Sequence, residues 1–152
     1  MLNIITHPNP ILRKKSQPVA DVFAPEIKKL IPQMIQIMLG HDGVGLAAPQ
    51  IGRNIRLIVV RYLDGDLVLI NPKICKKSWL KEWDEEGCLS VPGIVGDVKR
   101  CKKITVKFLD ENGKLRQLTG QGLLARVIQH EVDHLDGILF IDKARNIHNL
   151  EN

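Results

Sequence analysis

Apolar residues recur at Ile27, Leu30, Ile31, Met34 and Met38, the spacing that turns one side of a helix toward a core. Pro25 suits the first turn of that helix and Gly40 its end. Pro32 falls inside and predicts a kink, because it withholds the N–H that residue 28 would otherwise bind. The glycine-rich stretch that follows reads as a loop. Residues 55–62 and 67–70 then read as strands joined across Asp64-Gly65, and 104–109 and 115–119 as a second hairpin across Asn112-Gly113. Strands around 79–83 and 94–98 flank Cys88. The helical period returns near Gly122 and stops at Gly137. A helix, several hairpins and a late core helix predict an α+β fold, with antiparallel sheets packed around that C-terminal helix. No repeat or linker divides residues 1–152, so one domain is expected.

The late helix carries the first chemical signal. Leu123, Val127, His130 and His134 form one stripe at helical spacing, and Leu124, Ile128, Glu131 and Leu135 form the next. Arg126, Gln129, Asp133 and Asp136 make the polar side. Two histidines four apart are often plain surface. Their apolar neighbours instead turn them and Glu131 inward, where three polar groups need a compensating ion or network. His130 and His134 can then grip one metal, while Glu131, one position around the helix, is offset from ligation but close enough to move a proton. That is a zinc-hydrolase arrangement.

Composition narrows the remaining choices. With 44% hydrophobic and 26% charged residues the chain is ordinary for a globular domain. No apolar run is long enough to span a bilayer, and no secretory h-region precedes Thr6-His7-Pro8. Three cysteines, Cys75, Cys88 and Cys101, fit a reducing cytoplasm better than a disulfide framework. The formal charge of +5 comes from scattered basic pairs with few aromatics among them. A solvated basic surface is expected, useful at most for transient contact near a ribosome, with no specific nucleic-acid partner and no membrane.

A catalytic metal site needs a third protein ligand and an open position. Cys88, in Glu86-Gly87-Cys88-Leu89-Ser90, is the candidate. Gly43-Val44-Gly45-Leu46-Ala47-Ala48-Pro49-Gln50 lacks the Lys-Ser/Thr of a phosphate loop; it suggests backbone held close to a ligand, with Gln50 as a hydrogen-bond donor. Together with Gln129-His130-Glu131-Val132-Asp133-His134-Leu135-Asp136-Gly137, these segments closely resemble the three signatures of the peptide deformylase family. The similarity also takes in Pro8-Asn9-Pro10-Ile11-Leu12-Arg13 and Val68-Leu69-Ile70-Asn71-Pro72, and so spans nearly the whole chain.

The resemblance implies a metal-dependent hydrolase that removes the formyl group from the N-terminal formyl-methionine of new polypeptides and releases formate. Cys88, His130 and His134 are then the metal ligands, and Glu131 the general base and acid. Gln50 and the backbone N–H of Leu89 are the oxyanion donors. One divalent ion is implied, Fe(II) in vivo, with zinc, nickel or cobalt able to replace it; ligand chemistry alone leads to zinc. The formyl-methionyl peptide is expected to lie as an added strand beside Val44-Gly45 and Gly87, with Val44, Leu123, Val127 and the His130 ring around its methionine. Cys101 stands where relatives commonly carry proline or alanine. The polar residues 146–152 leave no sign of the longer C-terminal helix of some relatives. Two other classes remain open: another mononuclear metallohydrolase, which needs a further His or Glu ligand, and a noncatalytic RNA-binding domain with a structural metal, which needs four.

Overall fold

A computed structural model describes residues 1–150. Helix α1 (Pro25–Gly40) buries the five apolar residues that its spacing singles out, and it continues through Pro32, which stands on the exposed side. The strands are β1 (Gly45–Ala47), β2 (Leu57–Tyr62), β3 (Gly65–Lys77), β4 (Lys81–Cys88), β5 (Val91–Cys101), β6 (Lys103–Leu109) and β7 (Leu115–Gln121). Helix α2 (Gly122–Leu135) and strand β8 (Arg145–Asn149) complete the chain. A five-stranded sheet has the order β1-β2-β3-β6-β7, and a three-stranded sheet the order β4-β5-β8. Neighbours in both sheets are antiparallel, as the hairpin signals lead one to expect.

The first sheet is covered on both faces, which explains the unbroken apolar run of β2. Leu57 and Val59 join Met34, Met38 and other residues of α1 in one core cluster. Ile58 and Val60 point the other way, to Ala125, Val127, Ile128 and Leu135 of α2. Side-chain alternation along one strand therefore serves two helices. Gly137 ends α2 at φ +75°, a conformation that glycine adopts without strain. A Cβ there would collide with the carbonyl of Arg13.

Local readings needed correction where tertiary contacts intervene. The stretch read as a glycine-rich loop contains β1, which gains its order by pairing with β2. Tyr62 pairs with Gly65, so the first hairpin turns at Leu63-Asp64 and not at Asp64-Gly65. The second hairpin, by contrast, closes as read: Leu109 pairs with Leu115 through a five-residue loop that contains Asn112-Gly113, in which Asp110 accepts from the N–H groups of Asn112 and Lys114. Trp79 and Leu80 lie in the turn before β4 and are exposed. On α2, Arg126 and Gln129 are buried despite the polar side they share with Asp136, because the second sheet covers them, whereas Leu123 is exposed. The polar tail forms β8 on the edge of β5. No described helix is long and apolar enough to cross a membrane.

Candidate active site

Two elements bring three ligand-type side chains together. His130 and His134 stand one turn apart on α2, and Cys88 closes β4 at the tight turn into β5. One donor atom from each lies within 4.8 Å of the others. Cys88 Sγ is 3.3 Å from His134 Nε2. His130 donates from Nδ1 to Glu86 Oε1 at 2.8 Å, which leaves its Nε2 free for the site. The remaining nitrogen of His134, Nδ1, is buried without a partner among the described residues.

Glu86 is the hub behind the ligands. Its carboxylate also accepts from Arg100 Nε at 3.0 Å, Arg100 Nη2 at 2.9 Å and Arg126 Nη1 at 2.6 Å. Burial opposes its ionisation most strongly, but the bonds from His130 and Arg100 outweigh that and hold it well below the usual carboxylate range. Arg100 reaches on to Asp133, and Gln129 clamps both backbone groups of Cys101, at 3.1 Å and 2.9 Å. The buried polar residues of α2 thus tie it to β4 and β5 and set the distance between Cys88 and the histidines.

The electrostatics suit a cation. Burial disfavours a charged His130, yet Cys88, Glu86 and Glu131 pull its pKa up to about 10, so positive charge is favoured at that point. His134 moves well below its ordinary value, through burial first and then the charges of His130 and Arg100, which keeps its imidazole neutral and able to ligate. A soft thiolate with two imidazoles is a good donor set for Fe(II), Zn(II), Ni(II) or Co(II). The residues present therefore fit one such ion.

Glu131 is only 4% exposed, and its Oε2 has no hydrogen-bond partner among the described residues. Burial, ahead of all other causes, raises its pKa to about 7. It lines a cleft of about 560 Å³ together with Gln50, Cys88 and His130. Val44, Gly45, Gly87, Leu89, Leu123 and Val127 line the same cleft. Gln50 is fixed by its Oε1, which accepts from the Ala47 N–H at 2.9 Å, so that its Nε2 points to Ser90 Oγ and Cys88 Sγ at 3.2 and 3.5 Å.

β1 is the edge strand of its sheet, and its outer edge faces the cleft. The Val44 carbonyl accepts from Arg61 N–H at 2.9 Å while Gly45 stands opposite Val60. By antiparallel alternation the N–H and C=O of Gly45 therefore point away from β2, to the open edge. A Cβ at Gly45 would lie 2.8 Å from both Glu131 Oε1 and Val127 Cγ1, so close packing there requires glycine.

Every site residue that the sequence singles out thus lines the cleft or borders the ligand cluster. Sequence reasoning missed Glu86, Arg100 and Arg126. Glu86 was visible only as a letter of the Glu-Gly-Cys motif, and nothing along the chain signals that β5 and α2 supply its two arginines.

A model of the polypeptide deformylase family matches residues 1–150. The peptide deformylase of Syntrophomonas wolfei is 52% identical over 141 residues, covering 93% of this chain and 91% of that protein. The crystal structure of peptide deformylase from Thermotoga maritima superposes with a TM-score of 0.92 at 41% identity, over 95% of this chain and 98% of the other. The Met-Ala-Ser-bound class I type b peptide deformylase of Acinetobacter baumannii gives 0.90 at 35% identity, over 94% and 98%. Similarity at this level over nearly the full length, with the same motifs meeting at one cleft, establishes that the chain belongs to the polypeptide deformylase family.

Proposed function

We propose that the cleft carries out deformylation with Cys88, His130 and His134 as metal ligands, Glu131 as general base and acid, and Gln50 with the Leu89 N–H as oxyanion donors. As a peptide deformylase the chain hydrolyses the formyl amide of N-terminal formyl-methionine, giving formate and a free amine. One observation carries the assignment of roles: Glu131 is buried with an unpartnered carboxylate oxygen beside a three-ligand cluster. A divalent ion held there would supply Lewis-acid polarisation and a more acidic water. We assign Fe(II) to that position from the family resemblance, with zinc, nickel and cobalt as substitutes of matching ligand preference.

The remaining work falls to the protein. Glu131 accepts a proton from the attacking water and returns one to the departing amine; a pKa near neutrality serves both transfers. Gln50 Nε2 and the Leu89 N–H donate to the oxygen on which charge develops, and the Ala47 contact holds Gln50 ready beforehand. The free edge at Gly45 takes the peptide backbone, and Val44, Leu123, Val127 and the His130 ring accommodate its methionine. The relative with bound Met-Ala-Ser supports this reading of the cleft. The full chain then acts as a single catalytic domain. Its free thiols favour the cytoplasm, and its basic surface favours transient contact with ribosomes that present the nascent substrate.

Matched formyl- and acetyl-Met-Ala-Ser peptides test the proposal, with formate, acetate and new amine all followed. Gly45, Glu131 and Val127 leave little slack, so the added methyl is expected to slow cleavage at least about 5- to 150-fold, the equivalent of ~1–3 kcal/mol of overpacking. Comparable rates, or cleavage of an internal peptide bond ahead of formyl loss, would overturn it. Separately, Cys88→Ala is expected to lose most of its metal on dialysis. Stoichiometric metal in that variant by elemental analysis would remove Cys88 from the ligand set.

A further inference from the structure

We propose that Leu150, delivered by the C-terminal strand β8, is a specificity-determining residue for the peptide positions that follow the methionine. The proposal rests on the deformylase reading of the cleft. Leu150 lines that cleft beside Pro92, Gly93 and Ile94, although it is remote in sequence from each of the three motifs.

The tail is held in place by specific contacts. β8 pairs with β5 through Ile94↔Asn149, Val95↔His148 and Asp97↔Arg145. Gly96 forms its seat: a Cβ there would lie 3.0 Å from Ala144 Cβ and 3.2 Å from Ile147 Cγ1. The Arg145 guanidinium stacks 3.6 Å above the Trp83 ring, and Asn146 Nδ2 donates to Asp97 Oδ2 at 2.9 Å. Beyond the strand, the Leu150 N–H donates to the Gly93 carbonyl at 2.8 Å, which fixes the last described residue against the cleft wall.

Leu150 is 59% exposed, Leu123 66% and Val44 46%. Three apolar side chains from three separate segments of the chain thus stand uncovered around one cleft. Exposed apolar groups gathered in this way mark a surface that a ligand covers. Val44 and Leu123, with Val127 and the His130 ring deeper in the cleft, serve the methionine, which leaves Leu150 without that role. Leu150 stands beside Gly93 of β5 on the wall of the cleft that also holds Gly45, and it is not among the methionine-lining residues, so its partner is a later side chain of apolar character.

The test compares formyl-Met-Leu-Phe with formyl-Met amide, taking the ratio of their kcat/KM values. Leu150→Asp is expected to lower that ratio about five- to tenfold, mainly through KM, since a partly covered leucine contributes binding of about that size. Leu150→Met is expected to keep the ratio near the parent value. Gly96→Val, which displaces the tail without altering Leu150, should reproduce the loss, and circular dichroism shows whether each variant is folded. Formate release by the parent with the same ratio in folded Leu150→Asp overturns the role of Leu150 and leaves the deformylase reading intact. No formate release by the metal-loaded parent overturns both.

Discussion

Glu131→Gln is expected to keep its metal and lose formate release by about 10²–10⁴-fold, the usual contribution of a positioned acid–base group. Glutamine preserves the shape that packs against Gly45 and Val127, so fold and cleft should survive. It cannot take a proton from water. The pH profile provides a second check. Burial raises the Glu131 pKa to about 7, and a cation nearby favours the carboxylate, so the acid limb of kcat/KM in the parent should lie at or below that value. Rates fall on that side because the base becomes protonated, and the residual activity of Glu131→Gln should lack this limb. Turnover within a few-fold of the parent, at equal metal content, would remove Glu131 from the chemistry.

Glu86→Gln is expected to destabilise the fold by about 3–5 kcal/mol, because it leaves Arg126 buried without its countercharge and Arg100 with Asp133 alone. For a chain of this size that corresponds to a fall in Tm of roughly 6–20 °C. It also weakens the carboxylate contact that orients His130, an effect worth about 10–100-fold in metal affinity or activity. The pH dependence has a definite sign. The Glu86 pKa is depressed in the folded protein, so its stabilisation is fully present above the ordinary carboxylate value of 4.5 and is lost as pH falls through the folded value. The stability difference between parent and variant should be constant above 4.5 and should shrink progressively below it. Chemical denaturation at several pH values measures it. A difference that stays constant under acid would rule out the charged hub.

The candidate ligand and acid–base groups were legible in the sequence where the reasons for their placement are local. His130 and His134 share a helix face through the 3.6-residue turn, and Cys88 and Gly45 are singled out by their motifs, although the close fit of Gly45 against Glu131 is a contact between β1 and α2. The five buried residues of α1 and the two antiparallel hairpins followed from periodicity in the same way. What local rules missed depends on partners distant along the chain. β1 is too short to signal itself and exists because β2 lies beside it. Arg126 and Gln129 look like a solvent face, yet they are buried, because Glu86, Cys101 and the carbonyls of β4 and β5 satisfy them. The tail looks like polar surface, yet its backbone finds an open edge on β5, and Leu150 reaches the cleft. Sequence by itself determined which residues could ligate, move protons and line a core, since side-chain chemistry and helical or strand period are properties of a few neighbouring residues. Only the tertiary structure decided how those residues are held, since the free energy of a buried charge or an unpaired strand edge depends on which remote segment comes to meet it.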